Sequence, residues 1–143
     1  MENYFNLKFE ASSINECFAR SVVSAFVLPL DPSVEELSSI KTAVSEAVTN
    51  AVVHAYDGKG GEIEMNGTIL GKTLTVTIDD CGKGIEDIAK ARQAFFTTGK
   101  EGERSGMGFT VMEAFMDKVE VSNLKPHGIR VVLTKKLGGR SKE

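Results

Sequence analysis

The sequence predicts an α+β protein, a two-layer sandwich in which helices cover one face of a mixed sheet. Two long stretches of helical period are confined to residues 14–55, whereas alternating apolar residues recur at 4–10, 62–80 and 118–136. The later alternating runs come in pairs joined by short turns, as hairpins do. One domain is expected over residues 1–143, since a chain of this length buries roughly 70% of the surface it exposes when unfolded.

Each element carries its own signal. "YFNLKFE" alternates and predicts the first strand. Ser13 and Glu16 have capping-box spacing, which would open a helix to about Val27 with Ile14, Phe18, Val22, Ala25 and Phe26 on its apolar face. "LPLDPS" stops that helix with Pro29 and Pro32. Ser33 and Glu36 repeat the capping signal and start a longer helix, expected to reach about Ala55, where "YDGKGG" breaks it. Ile63, Met65 and Ile69 alternate before a turn near "LGKT". A short helix is predicted over about 109–117, then "KVEVSNL" and "IRVVLTKK" around a "KPHG" turn.

Composition excludes several functions. Hydrophobic residues make up 41% and charged residues 26%, typical of globular proteins and unlike disordered ones. A net charge of −3 provides no basic footprint for nucleic acid. No window approaches the roughly 18 apolar residues of a membrane span, and "MENYFNLKFE" does not read as a secretory leader, so a cytoplasmic location is expected. Cys17 and Cys81 lack the spacing of a disulfide framework or a zinc site.

Three segments carry chemistry. Along the second helix Glu46, Asn50 and His54 recur every four residues at the border of a stripe made by Leu37, Ile40, Val44, Ala47, Val48, Ala51 and Ala55. An amide oxygen suits Mg²⁺, which takes one or two protein groups plus phosphates, and a carboxyl one turn away suits a base. The same row also fits a solvated polar edge, and His54 is read as a bystander. In "TLTVTIDDCGKGI" the alternation of Leu74, Val76 and Ile78 continues to Asp80, which should point inward and needs donors, such as an adenine amino group. A tight turn in which the acid bonds its own backbone is the alternative. Asp79, out of phase, is read as surface. Finally, "FFTTGKEGERSGMGFT" places glycines before a helix, a setting for phosphate, although it is neither a P-loop nor a Rossmann fingerprint and also fits a solvated surface loop.

In their order, these segments resemble the N, G1 and G2 boxes of the GHKL ATPase superfamily, which includes gyrase and the histidine kinases. The resemblance implies a Bergerat-type ATP site: Glu46 as base, Asn50 holding Mg²⁺, Asp80 taking adenine, and Gly82, Gly84, Gly106 and Gly108 shaping the pocket. It further implies a lid in which Thr97, Thr98, Lys100, Arg104, Ser105 and Met107 help to cover the phosphates. The stretch from Ser13 to Ala51 is similar to bacterial anti-sigma-factor serine kinases of the sporulation type. That similarity implies sequestration of a sigma factor, phosphorylation of a serine on an anti-anti-sigma partner, and a homodimer. Glu16, Arg20, Val23 and Val27 face away from the expected apolar stripe of the first helix and are predicted to form an exposed partner surface; scattered surface valines are the alternative. A module that uses nucleotide only to switch its affinity for partners is the competing function, and the presence of Glu46 beside Asn50 argues against it.

Overall fold

The structure, a computed structural model, describes residues 1–56, 60–82, 108–124 and 127–138. β1 (Glu2–Glu10) leads into α1 (Asn15–Val27), and a 3₁₀ turn at Leu28–Leu30 precedes α2 (Val34–Asn50). A single π turn, Ala51–Ala55, prolongs α2. β2 (Glu62–Leu70) and β3 (Thr73–Asp80) form the first hairpin. Residues 108–115 form α3, followed by the hairpin of β4 (Lys118–Asn123) and β5 (Ile129–Lys136).

The five strands lie in the order β1-β2-β3-β5-β4, and every neighbouring pair is antiparallel. The α+β sandwich is as predicted, but the sheet is antiparallel rather than mixed. The connection from β3 through α3 leads to a strand that runs parallel to β3, yet β5 lies between the two. The parallel relation therefore falls between strands that do not touch.

Alternation decides which side of the sheet is covered. Ile63, Met65 and Ile69 on β2, Leu74, Val76 and Ile78 on β3, and Val131 and Leu133 on β5 are buried in one cluster with Ile40, Val44, Ala47 and Val48 of α2. The cross-strand register puts Met65 beside Ile78 and Val76 beside Leu133, so side chains of neighbouring strands meet on the same face. The opposite face carries polar partners, including Asp79, which the sequence placed at the surface. Both its carboxylate oxygens accept hydrogen bonds from Arg130 at 2.8 Å.

The two helix starts differ. Ser33 and Glu36 form the predicted capping box, each side chain accepting from the other's backbone N–H at 3.0 Å. The second Glu36 oxygen accepts from Gly138, which fastens the chain's return to the start of α2. At α1 the expected box does not form: the helix begins at Asn15, with Ile14 as an N-cap that makes no side-chain bond.

α1 also faces differently from the expectation. Its fully buried residues are Ala19, Val23 and Val27, while Ile14 is 78% exposed and Phe18 is 47% exposed. Val23 and Val27 are thus core residues, and their assignment to a partner surface is corrected. The reason is that α1 has two neighbours. It turns its small side chains toward α2 and rests its rings on the sheet edge, with Phe26 edge-on to Phe5 at 4.7 Å and Phe18 edge-on to Phe9 at 5.9 Å.

Truncation at these positions should cost stability. Val23→Ala is expected to destabilise the fold by about 2 kcal/mol, read as a lower urea midpoint with unchanged slope. A midpoint equal to that of the parent protein would mean that Val23 is not packed in the core.

Candidate functional site

The row on α2 divides at the site. Glu46 is half-buried and lines a groove of about 430 Å³ between α1 and α2, together with Arg20, Leu37, Lys41 and Ser45. Arg20 crosses this groove and donates to Ser45 Oγ at 2.6 Å. Asn50, one turn on, is buried, and neither its Oδ1 nor its Nδ2 has a hydrogen-bond partner among the described residues. A buried amide with no partner costs about 1–3 kcal/mol, so this side chain is disposed to receive something. Glu16, on α1, is half-buried, and the reading of His54 as a bystander concerns a side chain outside the described residues.

Gly108, the first described residue of α3, stands against this amide. A Cβ placed there would lie 3.0 Å from Asn50 Oδ1 and 3.1 Å from Nδ2, so a side chain at 108 would press the amide back by a few tenths of an ångström. Directly after Asn50 the helix widens into the π turn, where the sequence predicted continuous α-helix. Such widenings are frequent at functional sites, and over five residues their period is too close to the α value to be read from sequence.

Asp80 closes β3 pointing inward, as its phase predicted, and is 6% exposed. Its Oδ1 accepts from the backbone N–H of Gly82 at 2.9 Å and of Ile129 at 3.2 Å. The two sequence readings therefore coexist: the acid makes the turn bond to Gly82 and is also buried in phase with the core. Burial raises its pKa above the usual carboxylate value, against the lowering effect of those two donors. Gly82 is itself buried.

Around Asp80 the structure adds residues that the sequence reading treated only as turn or helix-break positions. Gly128, at φ +118°, has no room for a Cβ against the Asp80 carbonyl oxygen, so β5 starts in direct contact with the end of β3. His127 Nδ1 donates to the Gly82 carbonyl at 3.0 Å. The Tyr56 hydroxyl donates to the Glu62 carbonyl at 2.7 Å and accepts from the Cys81 N–H at 2.6 Å. Burial, the largest influence, raises the phenol's pKa and keeps that donor protonated. In sequence, "KPHG" and "YDGKGG" announced turns, and nothing in those letters pointed to Asp80.

Of the predicted pocket glycines and lid residues, Gly84, Thr97, Thr98, Lys100, Arg104, Ser105, Gly106 and Met107 lie outside the described residues, whereas Gly82 and Gly108 are described. No group of three or more His, Cys, Asp or Glu side chains that could hold a metal occurs among the described residues. The orphaned Asn50 amide does fit Mg²⁺, which needs one protein oxygen when phosphates supply others. Cys17 and Cys81 are free and exposed. No helix among the described residues is long and apolar enough to cross a membrane.

Comparison with known proteins bears on this geometry. The model of the histidine kinase-like ATPase domain matches residues 10–135. Anti-sigma F factors are similar over nearly the whole chain: that of Caldanaerobacter subterraneus subsp. tengcongensis is 53% identical over 136 residues, covering 95% of each chain. That of Thermoanaerobacter pseudethanolicus is 52% identical with the same coverage, and that of Clostridium acetobutylicum is 48% identical. Among solved structures, the RsbU and RsbW domains of a Mycobacterium tuberculosis protein superpose with a TM-score of 0.65 at 16% identity. That match covers 94% of this chain and 32% of the other, and it shows the shared fold.

The raised pKa of Asp80 has a measurable sign. Its folded-state value lies above the unfolded one, so the protonated acid supports the fold below about 3.8, and this support is lost as pH rises through the raised value. Asp80→Asn, which keeps an acceptor for both N–H groups, should raise the melting temperature of nucleotide-free protein by roughly 2–5 °C at pH 7.5. The gain should shrink as pH falls through the carboxylate range. A constant difference across that range would show that the charge of Asp80 is not penalised.

Proposed function

The chain belongs to the histidine kinase-like ATPase domain family, on its anti-sigma F branch, and from that membership we propose that it binds and inhibits a sporulation sigma factor (sigma F) and, with Mg-ATP, phosphorylates a serine of an anti-anti-sigma protein. The observation that carries this reading is Asn50: a buried amide with both polar atoms unpartnered among the described residues, one helical turn from Glu46 and facing Gly108 of α3.

In this reading each side chain has one task. Asp80 turns its carboxyl into the pocket and takes the adenine amino group, while its first oxygen stays held by the amides of Gly82 and Ile129. Gly82 removes a side chain where the flat base passes. Asn50 offers its Oδ1 to Mg²⁺, and Glu46 accepts the proton of the attacking serine hydroxyl. When bound, Mg²⁺ would offset charge on the phosphates. Gly84, Thr97, Thr98, Lys100, Arg104, Ser105, Gly106, Met107 and Gly108 would enclose those phosphates.

Partner recognition is assigned to Glu16 and Arg20, which sit one turn apart on α1, Arg20 at the groove that also holds Glu46. A partner seated there would have its hydroxyl segment beside the base. The proposed homodimer has a candidate surface at β1, an edge strand, with Ile14 and Phe18 exposed beside it. A cytoplasmic location goes with a sigma-factor partner, and neither nucleic acid nor membrane is a direct ligand in this reading.

Two measurements test it. Glu46→Gln should keep Mg-ATP affinity within about twofold while phosphoserine formation on the anti-anti-sigma protein falls by roughly 10²–10⁴. Equal loss of binding and transfer would make Glu46 a structural residue, and full transfer would remove its role as base. Arg20→Ala should weaken capture of the sigma factor in a pull-down by roughly tenfold, while Ser45→Ala, which removes the same bond to α2, leaves capture unchanged; unchanged capture by Arg20→Ala would move the partner surface elsewhere.

A further inference from the structure

Tyr56 has a place in the site that neither its composition nor its position in sequence announces. It follows the π turn that prolongs the Asn50 helix, packs its ring against the backbone of Gly61, and is half-buried. Its hydroxyl joins two strands: it donates to Glu62 at the start of β2 and accepts from Cys81 just past the end of β3. Glu62 and Cys81 flank the cross-strand pair of Ile63 and Asp80, so the phenol ties the sheet together at the point where the inward acid emerges. Cys81 is exposed, and its amide donates to the Tyr56 hydroxyl at 2.6 Å.

The segment from Asp80 to Gly82 is thereby held from two directions. The 127–129 stretch grips it from β5, through Ile129 on the carboxyl and His127 on the Gly82 carbonyl. Tyr56 grips it from the end of the α2 helix. Without the phenol oxygen the Cys81 N–H would lose its partner, and the peptide following Asp80 could rotate. The carboxyl's orientation is set by that peptide, because one of its two donors, Gly82, lies beyond it.

We propose that Tyr56 is a positioning residue for purine recognition: by fixing the Cys81 amide it aims the second Asp80 oxygen and links the spacing of the adenine acid to the helix that carries Asn50. This rests on the assignment of Asp80 to adenine made above. Both bonds of the Tyr56 hydroxyl go to the protein's own backbone, so removing it should change which base is preferred, with little effect on the grip on phosphate.

The test compares ATP with ITP, which has a 6-oxo group where ATP has the 6-amino donor, using calorimetry with Mg²⁺ on the parent protein, Y56F and D80N. Y56F is expected to bind ATP roughly three- to tenfold more weakly while ITP binding stays within twofold, and its Cys81 amide should exchange faster. Parent-like ATP binding by Y56F, or equal losses for ATP and ITP, would overturn the proposal. The D80N arm separates the two levels. Loss of ATP preference in D80N alone removes only Tyr56 from the account, whereas a preference intact in D80N means that the purine reading itself fails. Should Y56F not fold, the parent protein decides: slow Cys81 exchange, as in the middle of β3, supports the pin, and exchange at the rate of an open loop overturns it.

Discussion

A carboxyl in the core-facing row of a strand is the constraint around which this molecule is arranged. Asp80 continues the series Leu74, Val76 and Ile78, so the pleat offers it no route to the solvent face. Burying it is tolerable only with donors, and these come from Gly82 and from β5, two segments far apart in sequence. The close approach at Gly128 and the bonds from Tyr56 and His127 serve the same end. The surrounding structure invests in one acidic group that a hydrocarbon would serve better if stability were the only demand.

Much of this was legible because it rests on short-range periodicity. The two hairpins, the Ser33–Glu36 cap and the inward phase of Asp80 follow from spacing alone, since a pleat alternates strictly and a cap needs an acceptor three residues before its donor. Glu46 and Asn50 were found because residues four apart share a helix face. The environments of the two could not be read, and they diverge: Asn50 is enclosed, while Glu46 lines a groove.

α1 departs from its sequence pattern for a definite reason. A helix with one neighbour turns its bulkiest residues inward, and the stripe of Ile14, Phe18, Val22 and Phe26 suits that case. Between α2 and the sheet edge, the tightest space went to Ala19, Val23 and Val27, because helix axes come closest over small side chains. The bulkier rings of Phe18 and Phe26 were directed to the edge strand, where Phe5 and Phe9 accept them edge-on. The strand order was hidden in a similar way, since nothing local indicates that β5 rather than β4 lies beside β3.

That strand order governs when the molecule becomes competent. The bond from Ile129 to Asp80 spans 49 residues, and it cannot form until the last strand has inserted between its own hairpin partner and the first hairpin. Closing so long a loop is slow compared with forming a hairpin, so the acid gains its second donor late in assembly. A nascent or truncated chain can therefore complete its first hairpin while the inward acid still lacks its donor from β5, and a protected Ile129 amide marks a molecule whose maturation is finished.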